Sequence, residues 1–119
     1  METAVIVAAA VFFVGMGVYA LAAPGRLLAP FDITLGSASA RAEVRAVYGG
    51  FGLAIAAMLA VALTTPDLRA GIVMTVAAAL AGMAFGRLSS VLGGRTGFYP
   101  NWFYFLVEAF AALALFTAA

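Results

Sequence analysis

The chain has 119 residues, of which 66% are hydrophobic and only 9% charged, and its formal net charge is +1. In soluble domains about a quarter of the residues are charged. A chain of this size buries only about two-thirds of its surface, too little to hide so many apolar residues from water, so the composition excludes a water-soluble fold. The length predicts a single domain over residues 1–119. No basic run is present to bind phosphate backbones, so no nucleic-acid partner is expected.

The residue types that the chain lacks exclude several chemistries. It has no Cys and no His, and all six of its cationic side chains are Arg. Disulfides, thiolate or imidazole metal ligation, histidine acid–base catalysis and lysine Schiff bases are therefore excluded. We expect no cofactor and no metal site, and the five carboxylates are the groups left for acid–base chemistry.

Four segments reach the length of about 20 apolar residues that a transmembrane helix requires. We place them at about residues 3–23, 41–63, 68–91 and 101–117. The first is interpreted as a membrane span and not as a signal peptide, because no Lys or Arg precedes it and its apolar run is too long. Short connections make neighbouring helices antiparallel, so the predicted fold is an all-α membrane protein, an antiparallel four-transmembrane-helix bundle.

The connection between the first two spans is too long for a tight turn. Pro24 ends the first helix, and charged and apolar residues alternate at 26–28 and 31–33. This mixture predicts a short segment lying in the membrane interface. Ser37 or Ser39 can cap the second helix by accepting a hydrogen bond from its first free N–H groups.

Glycines recur on two of the predicted helices at spacings that favour close helix packing. Gly49 and Gly52 lie on the second span, and Gly82 and Gly86 form a small-xxx-small pair on the third. We expect these glycines to be helix contacts within the bundle or with a partner.

The arginines predict an orientation for the four spans. Five of the six lie on the side of the two longer loops, and only Arg69 lies on the side of the termini. The positive-inside rule then places the loops in the cytoplasm and both termini outside.

Polar residues share faces of the predicted helices in the half of the bilayer nearest the loops. Arg41, Arg45 and Tyr48 recur at i, i+4 and i+7 on the second span, whereas Tyr104 and Glu108 share a face of the fourth. A charge at such depth costs about 2.5–3.5 kcal/mol and usually meets a partner. We therefore predict an inward polar cluster with a rim of flanking residues. The cluster comprises Arg45, Tyr48, Arg87, Tyr104 and Glu108, and the rim comprises Arg41, Glu43 and Asn101.

Two roles fit this cluster equally. Cluster and rim together hold three Arg against two Glu, so the site could accept a small anionic group such as a lipid headgroup or a carboxylate. Alternatively, Glu108 and an Arg could form a structural lock, since buried ion pairs often specify a fold. Arg45 could also reach the interface with its long side chain and take no part.

The same residues carry a family resemblance. The segment 40–52, then the sequence Gly-Arg-Leu at 86–88, and then Glu108 in the last span resemble the small bacterial membrane proteins of domain of unknown function 4345. The general plan is also similar to that of DoxX-type four-span proteins. The resemblance implies a four-helix membrane fold in a bacterial inner membrane and brings no activity with it.

Three functional interpretations follow. The first, which we favour, is a non-enzymatic membrane module. It would bind a lipid or small anionic ligand, or serve as an accessory subunit that packs against copies of itself or a larger membrane complex. The second is a small proton- or ion-coupled transporter that uses Glu108. The third is an enzyme acting on a lipid-like substrate, with Glu108 as its acid–base group, and it has the least support.

Overall fold

A computed structural model describes all residues from Met1 to Ala119, and every regular element in it is helical. Four helices are long and apolar enough to cross a membrane, which confirms the predicted fold class. We call them span 1 to span 4 in chain order. Their bounds are Glu2–Ala22, Ala38–Thr64, Pro66–Gly93 and Phe98–Ala118.

Proline and serine determine where the first connection begins and ends. Span 1 stops at Ala22, and Pro24 opens a short helix, Pro24–Leu28, which continues as a 3₁₀ turn over Ala29–Phe31. We call residues 24–33 the cover segment. Span 2 begins at Ala38 because the Ser37 hydroxyl accepts a hydrogen bond from the Ala40 N–H at 3.0 Å. Of the two predicted caps, the structure therefore uses Ser37.

Spans 2 and 3 are joined by a minimal turn. Thr65 is the single residue between them, and Pro66 suits the first position of span 3, where no N–H partner is needed. The Arg69 guanidinium donates to the Ala62 carbonyl oxygen at 2.9 Å and to the Leu63 carbonyl oxygen at 3.2 Å. It thereby satisfies carbonyl groups that the end of span 2 leaves free.

The four spans form a ring in which each packs against two neighbours, in the order 1–2–3–4 and back to 1. Three glycines bring spans 1 and 2 close together. A Cβ added at Gly17 would lie 2.9 Å from the Gly49 carbonyl oxygen, and one added at Gly52 would lie 3.1 Å from the Phe13 carbonyl oxygen. The two backbones are therefore nearly in contact, as expected where glycines line a helix interface.

Most side chains inside the ring are apolar, and so are most of those outside it. The core lies mainly in the half of the bundle that holds the chain termini, and it draws residues from all four spans, among them Ile6, Leu59, Val73 and Leu115. Only 21 of the 119 residues are buried, while large hydrophobic side chains such as Phe85 and Phe110 point outward. An outer surface this apolar requires lipid around it. The protein is therefore an integral membrane protein.

Span 2 has an irregular first half. Over Arg45–Gly50 it is a π-helix, in which the Phe51 N–H donates to the Ala46 carbonyl oxygen, five residues back. A π segment breaks the 3.6-residue repeat, so residues before and after it do not keep the shared face that a regular helix would give them. The π-helical part of span 2 packs against span 1, whereas Phe51–Thr64 packs against both span 1 and span 3.

Candidate functional site

An ion pair whose carboxylate is buried joins spans 3 and 4 in the half of the bundle nearest the loops. Arg87 Nε donates to Glu108 Oε1 at 2.8 Å, and a terminal guanidinium nitrogen donates to Oε2 at 3.2 Å. Glu108 is 3% exposed and is the only charged residue among the buried ones. The two parallel hydrogen bonds give the fork geometry in which guanidinium and carboxylate bind most strongly.

Two aromatic rings hold the guanidinium group of the pair. The Arg87 Cζ atom lies 5.5 Å from the centroid of the Phe31 ring and 5.5 Å from that of Tyr104. These two rings are stacked on each other at 5.8 Å. Both contacts lie within the range of a cation–π interaction, so the cover segment is attached to the ion pair through Phe31.

The pair and its aromatic neighbours line a cavity of about 170 Å³, which we call the polar cavity. Residues from spans 1, 2, 3 and 4 and from the cover segment contribute to its wall. They are Phe12, Met16, Leu27, Leu28, Phe31, Ile33, Tyr48, Met83, Arg87, Tyr104 and Glu108. The structure thus brings four of the five predicted cluster residues to one cavity, namely Tyr48, Arg87, Tyr104 and Glu108.

Arg45, the fifth predicted residue of the cluster, is placed elsewhere. Its Nε donates to the Leu21 carbonyl oxygen at 3.1 Å, at the end of span 1. The π-helix begins at Arg45 and changes the register of span 2, so Tyr48 faces the cavity while Arg45 does not. Arg45 instead satisfies a free carbonyl group at a helix C-terminus, where a positive charge is favourable.

The rim residues lie apart from the polar cavity as well. Arg41 lines a separate shallow depression beside Asp32 of the cover segment, and Glu43 is exposed. The Asn101 side-chain amide donates to the Ser90 hydroxyl at 3.5 Å and to the Thr96 hydroxyl at 3.4 Å, which ties the loop between spans 3 and 4. None of the three rim residues lines the polar cavity.

The predicted packing glycines divide into two groups. Gly49 and Gly52 are buried against span 1, with Gly17 as their counterpart. Gly82 and Gly86 have no atom within 4 Å of an added Cβ, so nothing inside the chain requires a glycine there. Their spacing places both on the outer surface of span 3, so their packing against another chain stays a prediction.

Phe31 belongs to the site although it is not among the residues predicted for the cluster. Residues 31–33 are predicted to lie in the membrane interface, whereas the Phe31 ring packs on Arg87 and Tyr104. A signal was present, because Leu27, Leu28 and Phe31 are three and four residues apart and so share one face of a short helix. Such an apolar face in a connecting segment indicates that the segment folds inward onto the bundle.

The chemistry that this arrangement offers is hydrogen bonding by an ion pair whose two charges offset each other. Arg87 uses two of its donors on Glu108, and a guanidinium carries five, so donors remain for a further acceptor. Tyr48 and Tyr104 line the same cavity, and a tyrosine hydroxyl can donate or accept a hydrogen bond. No group of three or more metal-ligating side chains converges anywhere in the molecule.

Fold and site together define a four-span membrane protein with a partly buried, bidentate arginine–glutamate pair beside a small cavity. The chain belongs to the family described as domain of unknown function (DUF4345), whose model matches residues 1–119, the whole chain. Comparison with curated proteins and with solved structures returned no match.

Proposed function

We propose that this protein is a non-enzymatic binding module of the membrane, and that its polar cavity holds the polar end of a lipid-like ligand. The observation that carries the proposal is the juxtaposition of the Arg87–Glu108 pair with a cavity of about 170 Å³. A pair that served only to lock two helices would be stabilised further by filling that space, since empty volume beside buried side chains costs stability.

The wall of the cavity has the composition of a binding site. Apolar side chains such as Phe12 and Met16 form most of it, and the few polar groups converge at the ion pair. Ligand pockets typically combine such a lining with a small number of placed hydrogen-bonding groups. The unused donors of Arg87 and the hydroxyls of Tyr48 and Tyr104 would orient the ligand.

The proposal includes a place in the cell. We propose a bacterial inner membrane, with the loop side of the bundle in the cytoplasm, because five of the six arginines lie on that side. The chain has no cysteine, so single-cysteine variants report orientation without a background. In intact cells, an impermeant maleimide should label Asp67→Cys and leave Leu92→Cys unlabelled. The reverse pattern would invert the orientation.

Binding is tested with the protein in lipid nanodiscs and three radiolabelled probes, which are hexadecanol, hexadecanoate and a diacylglycerol. We expect at least one probe to bind saturably, and the double variant Arg87→Met/Glu108→Leu to lose that binding while staying folded. Arg95→Met, which changes an exposed arginine outside the cavity, is the control and should bind normally. If no probe binds saturably, or if the double variant binds like the wild type, the proposal is overturned.

A further inference from the structure

We infer that the ligand is an uncharged amphiphile dissolved in the bilayer, which reaches the polar cavity sideways through an opening between spans 2 and 3. This inference rests on the proposed function and specifies its ligand class and its route. Three observations support it: spans 2 and 3 separate on the loop side, the cover segment closes the cavity toward the loops, and the charges of Arg87 and Glu108 offset each other.

Spans 2 and 3 diverge toward the loop side. They are tied together at Thr65, and span 2 packs against span 3 over Phe51–Thr64. The π-helical part of span 2, which precedes Phe51, packs against span 1 instead. Gly17 and Gly49 bring the backbones of these two helices nearly into contact. The loop-side half of the bundle is therefore open between spans 2 and 3, toward the hydrocarbon of the bilayer.

This opening is lined entirely by hydrophobic residues and leads to the polar cavity. It forms a space of about 470 Å³ whose wall includes Val47 and Phe51, both about half exposed. Three further residues, Met16, Tyr48 and Met83, line this space and the polar cavity alike. A molecule with a hydrocarbon chain could thus keep its chain in the opening and place its polar end at the ion pair.

The side of the cavity that faces the loops is covered. Leu27, Leu28, Phe31 and Ile33 of the cover segment contribute to its wall, and Leu28 is buried. Phe31 is fixed in place by stacking on Tyr104 and by its contact with the Arg87 guanidinium. A ligand arriving from water would have to displace these contacts, whereas one arriving from lipid meets only apolar side chains.

The charge balance selects an uncharged polar end. Arg87 and Glu108 are the only charged residues in the cavity wall, so their charges offset each other. Arg45, Arg41 and Glu43 lie elsewhere. An added anion would come close to the Glu108 carboxylate, and an added cation would meet the guanidinium group, so either charge would be buried without a free partner. A hydroxyl or carbonyl oxygen can instead accept from the remaining Arg87 donors without that cost.

The inference is tested by photolabelling in nanodiscs with hexadecanol and hexadecanoate that carry the same diazirine on the chain, at a pH where the acid is ionised. We expect the alcohol to label Val47, Phe51 and Met83 saturably. The ionised acid should bind more than about tenfold more weakly, since it would bury an unpaired charge. Unlabelled hexadecanol should compete with the labelled alcohol.

A matched pair of methionine variants on span 3 tests the route. Met83→Trp should fill the opening and reduce labelling by the alcohol more than about tenfold, because the indole would occupy the space that the hydrocarbon chain needs. Met74→Trp, on an exposed face of the same span and outside both cavities, should leave labelling unchanged. Circular dichroism of both variants verifies that the helices are intact.

Four outcomes separate the inference from the proposed function. Equal or stronger binding of the acid would overturn the uncharged ligand, and label concentrated on Phe31 and Ile33 would overturn the lateral route. Unchanged labelling in Met83→Trp would also overturn the route. In these three cases the cavity would still bind a ligand, so the proposed function would stand. Non-saturable label spread along all outer faces would overturn both.

Discussion

The two halves of this bundle are built differently. In the half that holds the termini, all four spans meet through small and branched apolar residues, of which Ala62, Val73 and Leu115 are fully buried. In the half nearest the loops, spans 2 and 3 separate, and the space between the helices contains an ion pair, two tyrosines and a cavity. The same hydrophobic composition therefore gives a closed half and an open half.

The difference separates the half that is closed by packing from the half in which we propose that a ligand binds. Apolar packing within lipid is sufficient to close the first half, because interdigitated side chains and short helix distances supply the contacts. The second half contains a charged pair at a depth where an unpaired charge is costly. Here the glycine contacts between spans 1 and 2 hold span 2 close to span 1 and away from span 3. A local loss of close packing in an otherwise well-packed protein is typical of a functional site.

The largest expected effect comes from leaving Glu108 without its partner. Arg87→Met should destabilise the protein by about 3–5 kcal/mol, because it leaves a buried carboxylate without its two hydrogen bonds. The double variant Arg87→Met/Glu108→Leu should recover most of that loss, since an apolar pair can replace a buried ion pair at little cost. Unfolding by sodium dodecyl sulfate in mixed micelles measures both.

Arg95→Met is the control for this comparison, since Arg95 is exposed and forms no ion pair. Its unfolding midpoint should match that of the wild type. If the single and double variants unfold alike, an unpaired Glu108 carboxylate is not what destabilises Arg87→Met.

The second effect concerns the closely packed helices. Gly17→Ala should destabilise the bundle by about 1–3 kcal/mol, because the new Cβ would lie 2.9 Å from the backbone oxygen of Gly49. Gly15→Ala, two residues earlier on the same span, meets no atom within 4 Å and should be neutral or stabilising by up to about 1 kcal/mol. The same unfolding assay compares them. Equal destabilisation by both would show that helix contact is not the cause.

Much of this architecture could be predicted from the sequence, because lipid imposes simple rules. Hydropathy and length identify four spans, and short turns make them antiparallel. Glu108 is the single acid deep in a span, so the cost of an unpaired charge already pointed to an arginine, and Arg87 is the one that the structure pairs with it. The cap at Ser37 likewise follows from local hydrogen bonding.

The remainder depends on features that a periodic pattern does not contain. The position of Arg45 depends on a π-helix and on a backbone oxygen of Leu21, neither of which side-chain spacing reveals. Glycine spacing shows that Gly82 and Gly86 share a face, but not whether another helix covers that face. Phe31 reaches the ion pair only because its connecting segment folds inward, which is a matter of tertiary packing.

A smaller effect is expected at the end of the connection between spans 1 and 2, where Ser37 caps span 2. Ser37→Ala should destabilise the protein by about 1 kcal/mol, because the Ala40 N–H loses its acceptor at the start of span 2. Ser39, two residues later, forms no side-chain hydrogen bond, so Ser39→Ala should change stability by only a few tenths of a kcal/mol. Hydrogen exchange of the Ala40 amide measures the local effect. Equal exchange in the two variants would contradict the assigned cap.

The smallest effect distinguishes the arginines of span 2 from the ion pair. Arg45→Met should cost under about 1 kcal/mol, since it removes one exposed hydrogen bond to the Leu21 carbonyl oxygen. It should leave the binding of hexadecanol unchanged, because Arg45 does not line the polar cavity. Arg41→Met controls for the loss of a positive charge near the same interface. A tenfold or greater loss of binding in Arg45→Met alone would return Arg45 to the cluster that helical spacing predicts, and the π-helix would then be a segment whose register changes when ligand binds.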